Sequence, residues 1–341
     1  MRGLRQRGRR TRRKKFRTLK MVENSTGIVD GSKWSEILSF GPLITEVLVG
    51  IFLYINGLMI FTFFMKEAFR TDTRYILFAH MLFVDSSLLV VTSLVALLTY
   101  YRVAIPYESC IVLNLVLVWL EFCTPLTLVA MCLERYVAVC KPLRHAAIST
   151  PRIRVVGLLL IWGPGCVPAL VIIFSCTASV SVKQLSMRVL CSLDALIVIE
   201  WQKYLQIAVF KFYFLLMSMV IAFTYVKVAA AARSASGKNS KSSAKGTRTV
   251  ALHAIQLLLC LIQLLTPFVD MALLKISVVI YIYIRFVNFI MFVIAPRCLS
   301  SLIYGLRDQN FFQALKHYAV CGLDKKVQPA ASHSRKVDLR H

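Results

Sequence analysis

Met131-Cys132-Leu133-Glu134-Arg135-Tyr136-Val137-Ala138-Val139-Cys140-Lys141-Pro142-Leu143-Arg144-His145 closes a long apolar run and opens a basic loop. The apolar run spans about residues 106–139. Cys110 lies near its other end, 25 residues before Arg135. At 1.5 Å per residue that is roughly 37 Å of helix, enough to place the two at opposite faces of a bilayer. Glu134 and Arg135 then sit at one membrane boundary. An adjacent carboxylate and guanidinium there suit a cation held at rest and released to meet a partner. The plainer reading is a charged pair that only fixes depth, as snorkelling side chains do.

Six similar runs flank this one, at about 42–64, 75–99, 153–174, 204–230, 247–269 and 276–304. Each is long enough to cross about 30 Å of hydrocarbon as a helix. Backbone groups in lipid must be satisfied within the segment, so helices are the expected form. The composition agrees: 58% of the 341 residues are hydrophobic, 17% are charged, and the mean hydropathy is +0.68. A soluble domain of this length carries more charge. The expected fold is an all-α bundle of seven transmembrane helices. Its parts are an N-terminal segment 1–41, a membrane domain 42–304 and a tail 305–341, with an amphipathic membrane-surface helix at 308–319.

The formal charge of +25 raises nucleic acid as a partner, but its distribution argues against one. Residues 1–20 contribute +11, which leaves +14, mostly in short loops. One set of loops carries Lys66, Arg70, Arg74, Lys141, Arg144, Arg152, Arg154, Arg233, Lys238, Lys241, Lys245 and Arg248. The other mixes Arg102, Lys183, Arg188, Lys203 and Lys275 with Glu108, Asp194 and Glu200. The first set is therefore expected on the cytoplasmic side, with the N-terminus outside in the plasma membrane. The basic arm of residues 1–20 conflicts with that orientation. A chain starting at Met21 removes the conflict and brings a glycosylation sequon at Asn24 close to the start, so residues 1–20 are expected to be either a gene-model extension or an unusual leader. Ten cysteines show no CxxC pair and no zinc spacing, so no metal is expected. Cys110 is expected outside, where disulfides form, with Cys191 in the long outer loop as its partner and Cys176 as the competitor.

The sequence around Glu134-Arg135-Tyr136 resembles the signature of rhodopsin-like G-protein-coupled receptors. With Met131 before it and Pro142-Leu143-Arg144 after it, the match is to the odorant receptors. Asn56, Asp85, Trp162, Tyr225, and Lys245, Thr249 and His253 fall where that family has its markers, and the resemblance covers roughly residues 40–320. Ser300-Ser301-Leu302-Ile303-Tyr304 stands where the family has Asn-Pro-x-x-Tyr. Thr73-Arg74-Tyr75 replaces Pro-Met-Tyr, the fifth-span proline is missing near Met217, and Pro267 lies further out than usual. These departures resemble the 131-like group of fish odorant receptors. The resemblance implies an activation set of Glu134, Arg135, Tyr136, Tyr225, His253 and Tyr304. It also implies a relay of Asp85, Asn56 and Ser300 with a sodium ion near Asp85, which the Ser300-Ser301 change puts in doubt. The implied partners are a small-molecule odorant, a heterotrimeric G protein and membrane lipid.

Glu121 lies 14 residues, about four turns, before Arg135 and so shares its helix face, roughly 21 Å further out. Lys211 and Arg285 are expected at similar depth, with Leu117, Val118, Phe122 and Phe214 as apolar walls. Ionisable groups inside a membrane are functional candidates. Two readings stay open: a structural Glu121–Lys211 pair that closes the pocket floor, or a ligand contact. A free Lys211 or Arg285 suits a carboxylate-bearing ligand. Leu117 stands where aminergic receptors carry their carboxylate, which argues against an amine bound that way. In the tail, Phe311, Phe312 and Leu315 are expected to form an apolar face, and Cys321 is a palmitoylation candidate. A non-sensory receptor for a peptide or lipid is the alternative. A transporter would show inverted repeats or paired broken helices, which are not seen. His80 and His253 are too far apart in sequence to suggest an enzyme.

Overall fold

The computed structural model describes residues 31–141, 150–180, 187–192, 196, 199–235, 284–299 and 309–319, with isolated positions between 255 and 273. Asn24, His253, Ser300, Tyr304 and Cys321 lie outside the described residues, as do residues 1–20.

Among the described residues, five helices are long and apolar enough to cross a membrane, by length and composition. The first-span helix is Gly31–Met65, the second Thr73–Tyr100, the third Tyr107–Cys140, the fourth Pro151–Thr177 and the fifth Glu200–Ala235. Four of these contain the run read from the sequence, and the third begins one residue inside its run, because Pro106 belongs to a short strand. Described positions of the sixth run, among them Gln263, are helical. The seventh is helical over 284–299, with a π-helical turn at Phe289–Ile294.

Local chemistry sets the helix ends. Asp72 caps the second span by accepting from the Arg74 backbone N–H at 2.9 Å. Thr150 accepts from Ile153 N–H at 3.4 Å, and Pro151 follows as the first helical residue, where its missing N–H costs nothing. Just past the end of the second span, Arg102 has a left-handed φ of 52°. Its N–H reaches the Thr99 carbonyl at 3.2 Å, so the turn closes the helix and reverses the chain.

The third span is the hub of the bundle. Phe122, Cys123, Thr127 and Leu128 are all buried along it, and its neighbours are the second, fourth and fifth helices. Gly165 of the fourth span allows a close approach to the third: a Cβ there would meet Cys123 Sγ at 2.8 Å. Trp119 and Trp162 meet edge to face at 5.2 Å across the same interface, and Trp119 Nε1 donates to the Trp162 carbonyl at 3.2 Å.

The all-α expectation needs one small addition. Outside the third span, β1 (Ala104–Pro106) pairs antiparallel with β2 (Arg188–Leu190), with Ile105 opposite Val189. On the other side, the tail helix Gln309–Ala319 has a strongly amphipathic sequence. Phe311 is buried against Phe69 of the short helix Glu67–Thr71 at 5.3 Å and against Phe78 of the second span at 5.5 Å, while Phe312 is exposed. One side of the amphipathic helix thus packs onto the inner end of the bundle, and Phe312 lies outside that contact. Tyr318 extends this contact to Phe61 of the first span at 5.9 Å.

Candidate functional site

At the inner end of the third span, Arg135 Nε lies 3.7 Å from Glu134 Oε2. Both side chains are partly buried. Tyr136 leans towards the fifth span, where its ring is 5.9 Å from that of Phe223, and Lys141 Nζ stands over it at 5.9 Å. Cys140 Sγ donates to the Lys227 carbonyl at 3.7 Å, a second tie between these helices. Tyr225 is exposed, whereas Thr224 beside it is buried and donates to the Ile221 carbonyl at 2.9 Å.

At the outer end, Cys110 and Cys191 are joined in a disulfide with Cα atoms 5.3 Å apart. Asn114, one turn inward, donates to the Cys110 carbonyl at 2.9 Å. The bond and the β1–β2 pairing together hold the outer loop to the head of the third span. Cys176, the competing partner, is a buried thiol whose Sγ donates to the Leu196 carbonyl at 3.3 Å.

Below this lid, Val118 and Phe122 are buried and Leu117 is partly buried. Phe122 packs edge to face on Phe210 and Tyr213 of the fifth span, each at 5.0 Å. Tyr213 Oη donates to the Pro164 carbonyl at 2.7 Å and ties in the fourth span. Phe214 is partly buried at the edge of this cluster.

The Glu121–Lys211 pair does not form. Phe210, Tyr213 and Met217 point into the bundle, and Lys211, about 100° around the helix from Phe210, is exposed on its outer face. Glu121 Oε1 instead accepts from Gln263 Nε2 of the sixth run at 3.2 Å. Arg285 is exposed as well.

Gln263 leads to a cation that the sequence reading missed. Its Oε1 accepts from Arg297 Nη1 at 3.3 Å, and Arg297 Nε lies 3.6 Å from Asp85 Oδ1. Thr124 Oγ1 donates to the same Asp85 oxygen at 2.9 Å. Arg297 is only 2% exposed and Asp85 1%. Arg297 Nη1 also donates to the Val293 carbonyl within its own helix. A π-helical turn at Phe289–Ile294 lies just before Pro296, which has no N–H to donate to the ladder. Asn56, the remaining described relay residue, donates to Ser86 Oγ at 3.1 Å.

These residues fit a sodium ion at Asp85 poorly. Oδ1 already accepts from Thr124 and faces the Arg297 guanidinium, so a cation would be left with the buried Oδ2, the one Asp85 oxygen without a hydrogen-bond partner among the described residues. Two unit positive charges about 4 Å apart repel by about 4 kcal/mol at an effective dielectric of about 20. The sequence did hold a signal for Arg297: it is an ionisable residue inside an apolar run, the criterion that singled out Glu121. For Gln263 there was none, since a lone glutamine in an apolar run specifies no partner.

Residues 55–293 match the profile described as 7 transmembrane receptor (rhodopsin family). The chain is also 47% identical over 289 residues to Odorant receptor 131-2 of Danio rerio, covering 85% of this chain and 89% of that protein. The extent of both matches, together with the helical bundle described above, shows that the chain belongs to the rhodopsin family of seven-transmembrane receptors, in its odorant-receptor branch.

Proposed function

We propose that this chain is a multi-pass chemosensory receptor of the plasma membrane, with its N-terminus outside and its C-terminus in the cytoplasm. It binds a small odorant in the outer half of the bundle and activates a heterotrimeric G protein through the inner end of the third span. The observation that carries the reading is the arrangement along that one helix. Glu121 sits between an aromatic wall of Phe122, Phe210 and Tyr213 and the buried polar core. Four turns further in, Arg135 lies beside Glu134 at the opposite end. A ligand that displaces Gln263 from Glu121 disturbs the contact between the third and sixth spans, and a shift between those helices bears on the inner end that holds Arg135.

The outward position of Lys211 removes its support for a carboxylate-bearing ligand. Among the described residues, Glu121 is an inward carboxylate at this depth, so a ligand that donates hydrogen bonds is favoured. Leu117, Val118, Phe122 and Phe214 supply the apolar contact. Tyr136, Tyr225, His253 and Tyr304 complete the proposed inner switch.

The test is an odorant panel applied to cells expressing the full chain, with surface level measured for each variant. Lys211→Met is expected to leave potency unchanged. Glu121→Gln is expected to weaken a hydrogen-bond-donating or cationic agonist by about 10- to 100-fold, the scale of a charged hydrogen bond. Unchanged potency for Glu121→Gln together with a loss for Lys211→Met would overturn the assignment of the pocket.

A further inference from the structure

We propose that Arg297 is a built-in counter-ion: its guanidinium takes the place of a mobile cation at Asp85 and fastens the second, third, sixth and seventh spans through one buried network. The network runs from Thr124 to Asp85, from Asp85 to Arg297, from Arg297 to Gln263 and from Gln263 to Glu121. Every link is a direct contact between side chains, and both ends lie on the third span. Asp85 belongs to the second span, Gln263 to the sixth run and Arg297 to the seventh.

Charge accounts for the arrangement. A carboxylate as buried as Asp85 needs a cation or a donor set close by. The guanidinium supplies the charge from a tethered side chain, so its occupancy does not depend on the concentration of any ion. The guanidinium divides the work: Nη1 donates to Gln263 Oε1 and to the Val293 carbonyl, while the Nε edge faces Asp85 Oδ1 as an ion pair at 3.6 Å. Arg297 is here a positioning residue. It sets where the carboxylates of the second and third spans stand relative to the sixth and seventh.

The inference does not depend on the identity of any ligand, so it can be tested on the purified full chain alone. Thermal unfolding is followed in sodium chloride and in N-methyl-D-glucamine chloride at equal ionic strength. Wild type is expected to show the same Tm in both salts. Arg297→Met leaves Asp85 without its cation. It is expected to lower Tm and to gain a sodium-specific rise on the order of 5 °C, which adding Asp85→Asn abolishes. Arg297→Lys keeps the charge and is expected to behave as wild type towards sodium. A merely space-filling Arg297 would produce no such dependence on salt identity. The proposal is overturned if wild type shows a sodium-specific rise that Asp85→Asn removes, or if Arg297→Met folds and gains none. Should Arg297→Met not fold, the Arg297→Met/Asp85→Asn double variant decides. Its recovery of a folded state supports the pairing, and its failure where Asp85→Asn alone folds refutes it.

Discussion

Replacing Thr124 with valine keeps the shape of a buried side chain and removes one donor. In the structure that donor points at Asp85 Oδ1 from 2.9 Å, and both residues are almost fully buried. A hydrogen bond to a charged group contributes about 1.5–3 kcal/mol. Water cannot readily substitute at so enclosed a position, so most of that range should be lost. For a chain of this size, at about 2 °C per kcal/mol, Tm should fall by about 3–6 °C. The assay is thermal unfolding of the purified receptor, with Thr124→Ser as the companion that restores the hydroxyl. Serine should recover most of the loss, because Thr124 is needed for its donor and only secondarily for its methyl group. In an Asp85→Asn background the cost of Thr124→Val should shrink by at least half, since the neutral amide accepts more weakly. If Thr124→Val and Thr124→Ser unfold at the same temperature, or if the cost is the same with and without the Asp85 charge, the reasoning about the polar core fails.

Two further outcomes follow from the packing and the outer loop. Gly165→Ala should destabilise by about 1–3 kcal/mol, against the usual gain for alanine in a helix, because its Cβ falls 2.8 Å from Cys123 Sγ. Cys123→Ala in the same chain should relieve it, read as recovery of Tm. Cys191→Ser should lower the surface level in intact cells sharply, since a lost native disulfide typically costs about 2–5 kcal/mol. Cys176→Ser should leave that level nearly unchanged.

The five described transmembrane helices were legible in the sequence because each apolar run is long, and lipid leaves few alternatives to a helix. The same helical arithmetic placed Glu121 inward, since it counts along a single helix from a residue whose facing was already argued. Lys211 was misread because its depth was considered without its face. Phe210, Tyr213 and Met217 mark the inward side of the fifth span, and Lys211 lies off it. Arg297 was not legible as the partner of Asp85 because a lone arginine in an apolar run does not specify which acid of another span it meets, whereas Ser300-Ser301 departs visibly from the family pattern. The buried guanidinium lies only three residues earlier. The docking of Phe311 depended on how the tail helix meets the second span, a tertiary contact that amphipathic periodicity cannot specify.

In the proposed function a signal leaves the molecule through the inner end of the third span, where Arg135 lies beside Glu134. Agonist-dependent guanine-nucleotide exchange on a G protein tests this in membranes carrying equal surface amounts of wild type and Arg135→Ala. Exchange is expected to fall by at least about tenfold in the variant, equivalent to about 1.4 kcal/mol of lost coupling. Exchange at the wild-type level in Arg135→Ala would contradict it.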